Sequence, residues 1–151
     1  MKSYSIEEVL PHDHPMILID QIGYYDETKA VCSVTITPNS QFYSEGEQGV
    51  PSYVGIEYMA QSIAAYANAN ELSEGKQVEI GFLVSTRKYK STKSLFENQS
   101  QLSIHVEKLY KDESGLSAFD CEIIEGDESV ASARINVFQP NNPEEFLAQQ
   151  A

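Results

Sequence analysis

Glu57, Gln61 and Asn68 stand out in an alanine-rich, largely apolar stretch from Ser52 to Leu72. Glu57 and Gln61 are spaced i, i+4, which stacks them on one face of a helix, and Asn68 continues the stripe two turns later. A carboxylate on a buried helix is costly unless it is hydrogen-bonded, paired or protonated, and burial lifts its pKa toward the range useful for acid or base chemistry. Glu57 is therefore the leading candidate for chemistry, against the plainer role of tying the helix to a loop amide or to Gln61. The helix start supplies a second element. The amides near Ser52, Tyr53 and Val54 aim unsatisfied donors and the positive end of the macrodipole into the space ahead, where a carbonyl oxygen would be polarised. These residues together point to a carbonyl compound as substrate.

Two of the three histidines flank an aspartate in "LPHDHPMILID", residues 10–20. Histidine is the common choice for taking a proton near neutrality, which makes His12 and His14 candidate bases. Their i, i+2 spacing puts both on one side of an extended segment near Asp13 or Asp20, but His-x-His alone constrains metal geometry loosely, so no metal is expected. His105 falls in an alternating run and reads as structural. With a formal charge of -13, the long-range field disfavours nucleic acid and anionic membranes. Against that background "STRKYKSTK" gathers Arg87, Lys88, Lys90 and Lys93. The cluster reads either as lysines guarding an edge strand or as a local surface for an acidic partner. Cys32 and Cys121 sit far apart in strand-like segments and suit small apolar fillers in a reducing compartment. There is no Gly-rich phosphate cradle, zinc-spaced cysteine pair or Gly-x-Ser-x-Gly elbow, so the expected chemistry uses no cofactor.

The elements that would position these residues follow from patterning. "SIEEVL" predicts a short helix capped by Ser5 and stopped by Pro11. "MILIDQI" is a short apolar run, and "KAVCSVTITP" alternates with Ala30, Cys32, Val34 and Ile36 facing inward. Residues 39–50 are polar, carry Gly46 and Gly49, and read as a loop. The long helix over Ser52 to Leu72 is apolar on nearly every side as far as Ala67, which predicts a helix surrounded by protein, with Ser52 as N-cap and Gly75 as terminator. Four β-rich runs follow, separated by short turn-prone segments that favour antiparallel meander connections. The sum is one α+β domain spanning 1–151, one long helix against about six antiparallel strands, with a loosely held tail at 140–151. The N-terminus lacks a basic n-region and an apolar h-region, and no apolar run is long enough to span a membrane, so the expected location is the cytoplasm.

With these residues in view, "LPHDHPMILID" followed by "VPSYVGIEYMAQSIAAYA" resembles the hot-dog fold 3-hydroxyacyl-[acyl-carrier-protein] dehydratases. Their N-terminal motif reads roughly Leu-Pro-His-Arg-Tyr-Pro-Phe-Leu-Leu-Val-Asp and is matched by Leu10, Pro11, His12, Pro15, Leu18 and Asp20. The family's Glu-Ala-Met-Ala-Gln helix segment is matched by Glu57, Met59, Ala60 and Gln61, and "GFLVSTRKYK" is similar to the strand that ends in Arg-Phe-Lys. The resemblance runs from about Ile6 to Phe138. It implies a hot-dog fold, edge-to-edge dimers with sites between subunits, and removal of water from a 3-hydroxyacyl thioester by a histidine from the loop before the helix and a carboxylate from the partner's helix. Glu57 takes the carboxylate position, with Ser52, Tyr53 and Gln61 on the substrate side.

The loop is where this chain departs. The family reads approximately Gly-His-Phe-Pro-Gly-Arg-Pro there, whereas "YSEGEQGVP" is shorter and has no histidine. Sequences with "GVPSYVGIEYMAQ" in that place resemble the dehydratases of bacterial aryl-polyene pathways. Three readings follow. In the first, His12 or His14 supplies the base and the protein is a dehydratase of that branch. In the second, it is a catalytically degenerate subunit partnering an active hot-dog paralogue. In the third, Glu57 activates water and Gln61 orients it, giving a thioesterase. Acyl carrier protein is the implied partner, docking on Arg87, Lys88, Lys90 and Lys93, and the assembly is a homodimer or a heterodimer. Met59, Tyr58, Tyr66 and Phe82 read as either acyl tunnel or core.

Overall fold

The computed structural model describes residues 2–10, 16–76 and 82–138. The expectations for His12 and His14 and for the 140–151 tail lie outside those residues, as does the side chain of Phe82.

A short helix α1 (Ile6–Val9) opens the chain. The Ser5 backbone amide donates to the Glu8 carboxylate at 2.9 Å, the half of a capping box that the Ser-x-x-Glu spacing predicts. Strands β1 (Gln21–Tyr25) and β2 (Lys29–Thr35) form a hairpin. Its turn is built on Asp26, whose carboxylate accepts the backbone amides of Thr28 at 2.8 Å and Lys29 at 2.9 Å. The Thr28 amide, with further donors including the Tyr24 hydroxyl, holds the Asp26 carboxyl down at about 2. Ala30, Cys32 and Val34 are buried as the alternation predicts.

Beyond the long helix come β4 (Phe82–Ser91), then the meander β6 (Gln101–Lys111), β7 (Leu116–Glu125) and β8 (Glu128–Phe138). The sheet has six strands in the order β1-β2-β6-β7-β8-β4, every pair antiparallel. Two short strands, β3 (Gly49–Pro51) and β5 (Leu95–Glu97), form a second, two-stranded sheet. They fall inside segments that composition assigns to loops. Pairing wins because Gly49 allows the backbones to close up: a Cβ there would lie 2.5 Å from the Phe96 carbonyl oxygen.

Helix α2 (Gly55–Ser73) follows a 3-10 turn at Ser52–Val54. Ser52 thus lies inside the turn, and the position before the α-helix is Val54, which makes no side-chain cap. Gly75 ends the helix region as predicted, with φ of 78°, a conformation glycine adopts without steric cost. Tyr58, Met59, Ile63, Ala65 and Ala69 bury against the sheet. Tyr58 leans on Phe96 with ring centroids 6.1 Å apart, and Tyr66 meets Phe119 edge-on at 5.6 Å. Within this single chain the cover over α2 is incomplete. Glu57 is exposed, and Ala60, Ala64, Ala67 and Glu71 keep part of their surface, so one stripe of α2 stays open. Alanine is compatible with either environment, which is why composition could not distinguish them. Among the described residues no helix is long and apolar enough to cross a membrane.

Candidate active site

The start of α2 is fixed by a strand that breaks its own alternation. Pairing of β4 with β8 slips between Arg87 and Lys90, and Lys88 there has a φ of 55°, an uncommon conformation for a non-glycine residue that marks a bulge. Tyr89 then turns toward α2 and donates its hydroxyl to the Ser52 carbonyl. Gly55 makes room for it: a Cβ there would lie 2.4 Å from the Tyr89 hydroxyl oxygen, 3.0 Å from Ile123 and 3.3 Å from Phe96. The Ser52 amide donates to the Ser94 carbonyl at 3.0 Å, so this donor, expected to face a substrate carbonyl, is already engaged in the fold. The Tyr53 side chain is 65% exposed beside it.

One turn further in, Glu57 is on the surface of this chain rather than buried. It lines a cleft of about 480 Å³ together with Ala60, Gln61, Ala64, Ala67 and Phe119. The buried polar groups on this face are the amides, with Gln61 2% and Asn68 1% exposed. Gln61 accepts the Leu18 backbone amide at 2.9 Å, and its own amide nitrogen donates to the Met16 carbonyl at 2.8 Å and to Glu57 Oε1 at 3.3 Å. Both N–H groups and the carbonyl oxygen of Gln61 are thus engaged, which makes it a tie within the fold. Asn68 donates to the Val9 carbonyl at 2.9 Å. The i, i+4 contact between Glu57 and Gln61 is present, as the spacing requires. Tyr66, Tyr58 and Met59 all belong to the buried core, and of the three Tyr66 also lines the cleft.

The four basic residues separate. Lys93 pairs with Glu125 at 2.8 Å. Arg87, Lys88 and Lys90 are exposed and border a groove of about 680 Å³ on the outer face of the sheet. The bulge lets residues 87, 88 and 90 share one side, which regular alternation would forbid for 87 and 88. Lys29, Arg134, Asp120 and Glu122 also line this groove, as does His105, so that histidine is on the opposite side of the sheet from Glu57. Cys32 and Cys121 are free thiols. Burial pushes Cys32 up to about 11 and Cys121 up to about 12, which keeps both protonated and unreactive.

Sequence reasoning missed the Tyr89 and Gly55 pair. The only trace of it is a tyrosine set among cations in "RKYK" and a glycine at the entry of a long helix.

The family model for ApeP-like proteins, described as ApeP dehydratase, matches residues 4–148. The 3-hydroxyacyl-[acyl-carrier-protein] dehydratase FabZ of Bartonella quintana (strain Toulouse) is 31% identical over 127 residues, covering 80% of this chain and 80% of that protein. FabZ of Streptococcus sanguinis (strain SK36) is 31% identical over 77 residues, covering 49% of this chain and 55% of that one. Among solved structures, the dehydratase heterocomplex ApeI:P from Xenorhabdus doucetiae matches with a TM-score of 0.88 at 24% identity, covering 99% of this chain and all of the matched one. The E. coli PaaI protein from the phenylacetic acid degradation operon matches with a TM-score of 0.61 at 17% identity, over 78% of this chain and 81% of that one. The fold is the hot-dog fold that the two motifs predict.

Proposed function

Because the chain belongs to the ApeP-like dehydratase family, we propose that it removes water from 3-hydroxyacyl thioesters on acyl carrier protein. The product is a 2,3-enoyl thioester in fatty-acid-like or polyene biosynthesis. The observation that carries this reading is Glu57, a carboxylate on the wall of the cleft, held by Gln61 at the helix position where the resemblance puts the family's acid. In the elimination a base takes a proton from C2, next to the thioester carbonyl. The C3–O bond breaks as the C2–C3 double bond forms, and an acid protonates the departing hydroxyl. Glu57 is assigned to the hydroxyl end.

The loop at 43–51 has no histidine, so the base is assigned to His12 or His14. What supports this is that Gln61 holds Met16 and Leu18, the chain that directly follows those histidines, on the face of α2 that carries Glu57. Carrier docking is assigned to Arg87, Lys88 and Lys90, which the bulge turns outward together. Lys93, committed to Glu125, contributes less. The Xenorhabdus structure is described as a heterocomplex, and a pair of hot-dog subunits is the assembly proposed here. The missing loop histidine also favours a second reading, in which the chain is the degenerate member of a mixed pair.

The deciding experiment supplies 3-hydroxyacyl-carrier substrate to the protein alone and with candidate hot-dog partners, following both conjugated enoyl product and free thiol. Dehydratase action gives enoyl product without thiol, lost in Glu57→Gln and in one of His12→Ala or His14→Ala. Product only with a partner, unaffected by Glu57→Gln in this chain, assigns the degenerate role. Thiol release in place of enoyl product overturns both.

A further inference from the structure

We infer that Gln61 and Asn68 are positioning residues that form a two-point clamp, tying both flanks of the 10–18 motif to the face of α2 that carries Glu57. The inference deepens the dehydratase reading and rests on it for its catalytic consequence. Asn68 binds the chain ahead of residues 11–15 through the Val9 carbonyl, and Gln61 binds the chain after them through the Met16 carbonyl and the Leu18 amide. The two side chains are seven residues, or two turns, apart, about 10 Å along the helix on one side.

Both amides are almost wholly buried in α2, among tyrosine, methionine, isoleucine and alanine, with Ser62 the one other buried polar side chain of the helix. A buried amide adds nothing to packing that an apolar residue of similar size would not, and it costs free energy unless its hydrogen bonds are made. Here the bonds go to main-chain atoms on the two sides of a single short segment. Gln61 does more, because its remaining N–H reaches Glu57 at 3.3 Å. A single side chain therefore sets the carboxylate and one end of the motif against each other, and Asn68 sets the other end. Releasing either end undoes the placement, so the two residues act as one unit.

The test uses the functional assembly with a carrier-bound substrate, comparing Asn68→Leu, Gln61→Met and the double variant at a temperature well below each one's Tm. Each single variant should lose about tenfold or more in kcat with KM within about twofold, and the double should be little worse than the poorer single. Independent contributions would instead multiply. Gln61→Glu places a second negative charge beside Glu57 and should move the alkaline limb of the kcat profile, where the proton donor ionises, to higher pH, an effect that requires the side chain at 61 to face that carboxylate. Hydrogen exchange at the Leu18 amide gives a readout that needs no activity. It should quicken by tenfold or more in Asn68→Leu, on the far side of the segment, as it does in Gln61→Met. An unchanged kcat in Asn68→Leu, or a Leu18 amide as protected as in the parent protein, overturns the clamp. Absence of dehydration in the parent protein, alone and paired, defeats the dehydratase reading instead, and the exchange experiment then decides the clamp by itself.

Discussion

Replacing Gly55 by alanine pits two effects of known size against each other. Gly55 has an ordinary helical φ of −56°, so its backbone gains nothing from being glycine, and alanine should favour the helix by about 1 kcal/mol. The new methyl, however, would sit 2.4 Å from the Tyr89 hydroxyl oxygen and 3.0 Å from Ile123. Something must move, and the group with freedom to do so is Tyr89, at the expense of its hydrogen bond to the Ser52 carbonyl. Overpacking of this kind costs about 1–3 kcal/mol, and an unmade hydrogen bond to a half-buried carbonyl about 1 kcal/mol more. The propensity gain offsets only part of this, leaving a net loss of about 2 kcal/mol, which for a domain of this size lowers Tm by about 4–8 °C. Urea unfolding of Gly55→Ala, Tyr89→Phe and the double variant measures it. Phenylalanine removes the clashing oxygen, so the double variant should be more stable than the two single losses predict, with a coupling of about 1 kcal/mol. A Gly55→Ala protein more stable than its parent would mean that propensity outweighs the contact, and the proposed seating of α2 on Tyr89 would be wrong.

Three further outcomes follow from the same geometry. Arg87→Glu with Lys90→Glu should raise KM for carrier-bound substrate about tenfold while changing a small thioester mimic less than about twofold, and the difference should shrink as salt rises. Equal effects on both substrates would remove the docking surface. Asp26 has a folded-state pKa depressed from 3.8 to about 2, so the stability it contributes is present above 3.8 and lost as pH falls through about 2. Acid titration of unfolding should therefore show a smaller loss across that window in Asp26→Asn, and identical titrations would refute the turn's contribution. The thiols Cys32 and Cys121 have folded pKa values raised from 9.0 to about 11 and about 12, which makes the unfolded chain ionise first. Stability should fall as pH rises from about 9 through 12, and thiol alkylation of the native protein at pH 8 should be slow relative to the denatured chain.

Much of the fold was legible because its signals are local. Alternation placed β2 with the right face inward, and turn residues separated the meander strands. An uninterrupted proline-free run gave α2. The misses have a different origin. Strands β3 and β5 are three residues each, too short for any period to show, and they pair because a glycine lets two backbones touch. The division of the basic cluster also depends on distant residues. Lys93 is taken by Glu125, 32 positions away, and the bulge that aligns Arg87, Lys88 and Lys90 is set by pairing with β8.

The polar stripe on α2 shows most directly why a site can be found in a sequence and still be misjudged. At 3.6 residues per turn, Glu57, Gln61 and Asn68 fall within about 40° of one another around the helix, so spacing assigns all three to one environment. They differ along the axis instead. The flanks at Val9 and Met16 to Leu18 bond to α2 at Asn68 and Gln61, and this cover stops short of Glu57. Burial therefore falls on the two amides, which can satisfy it with main-chain hydrogen bonds. The carboxylate, for which burial would be most costly, is left facing the cleft, where a substrate or a second subunit would complete its surroundings. If Glu57→Gln leaves kcat of the functional assembly unchanged, Glu57 is not the group that protonates the departing hydroxyl.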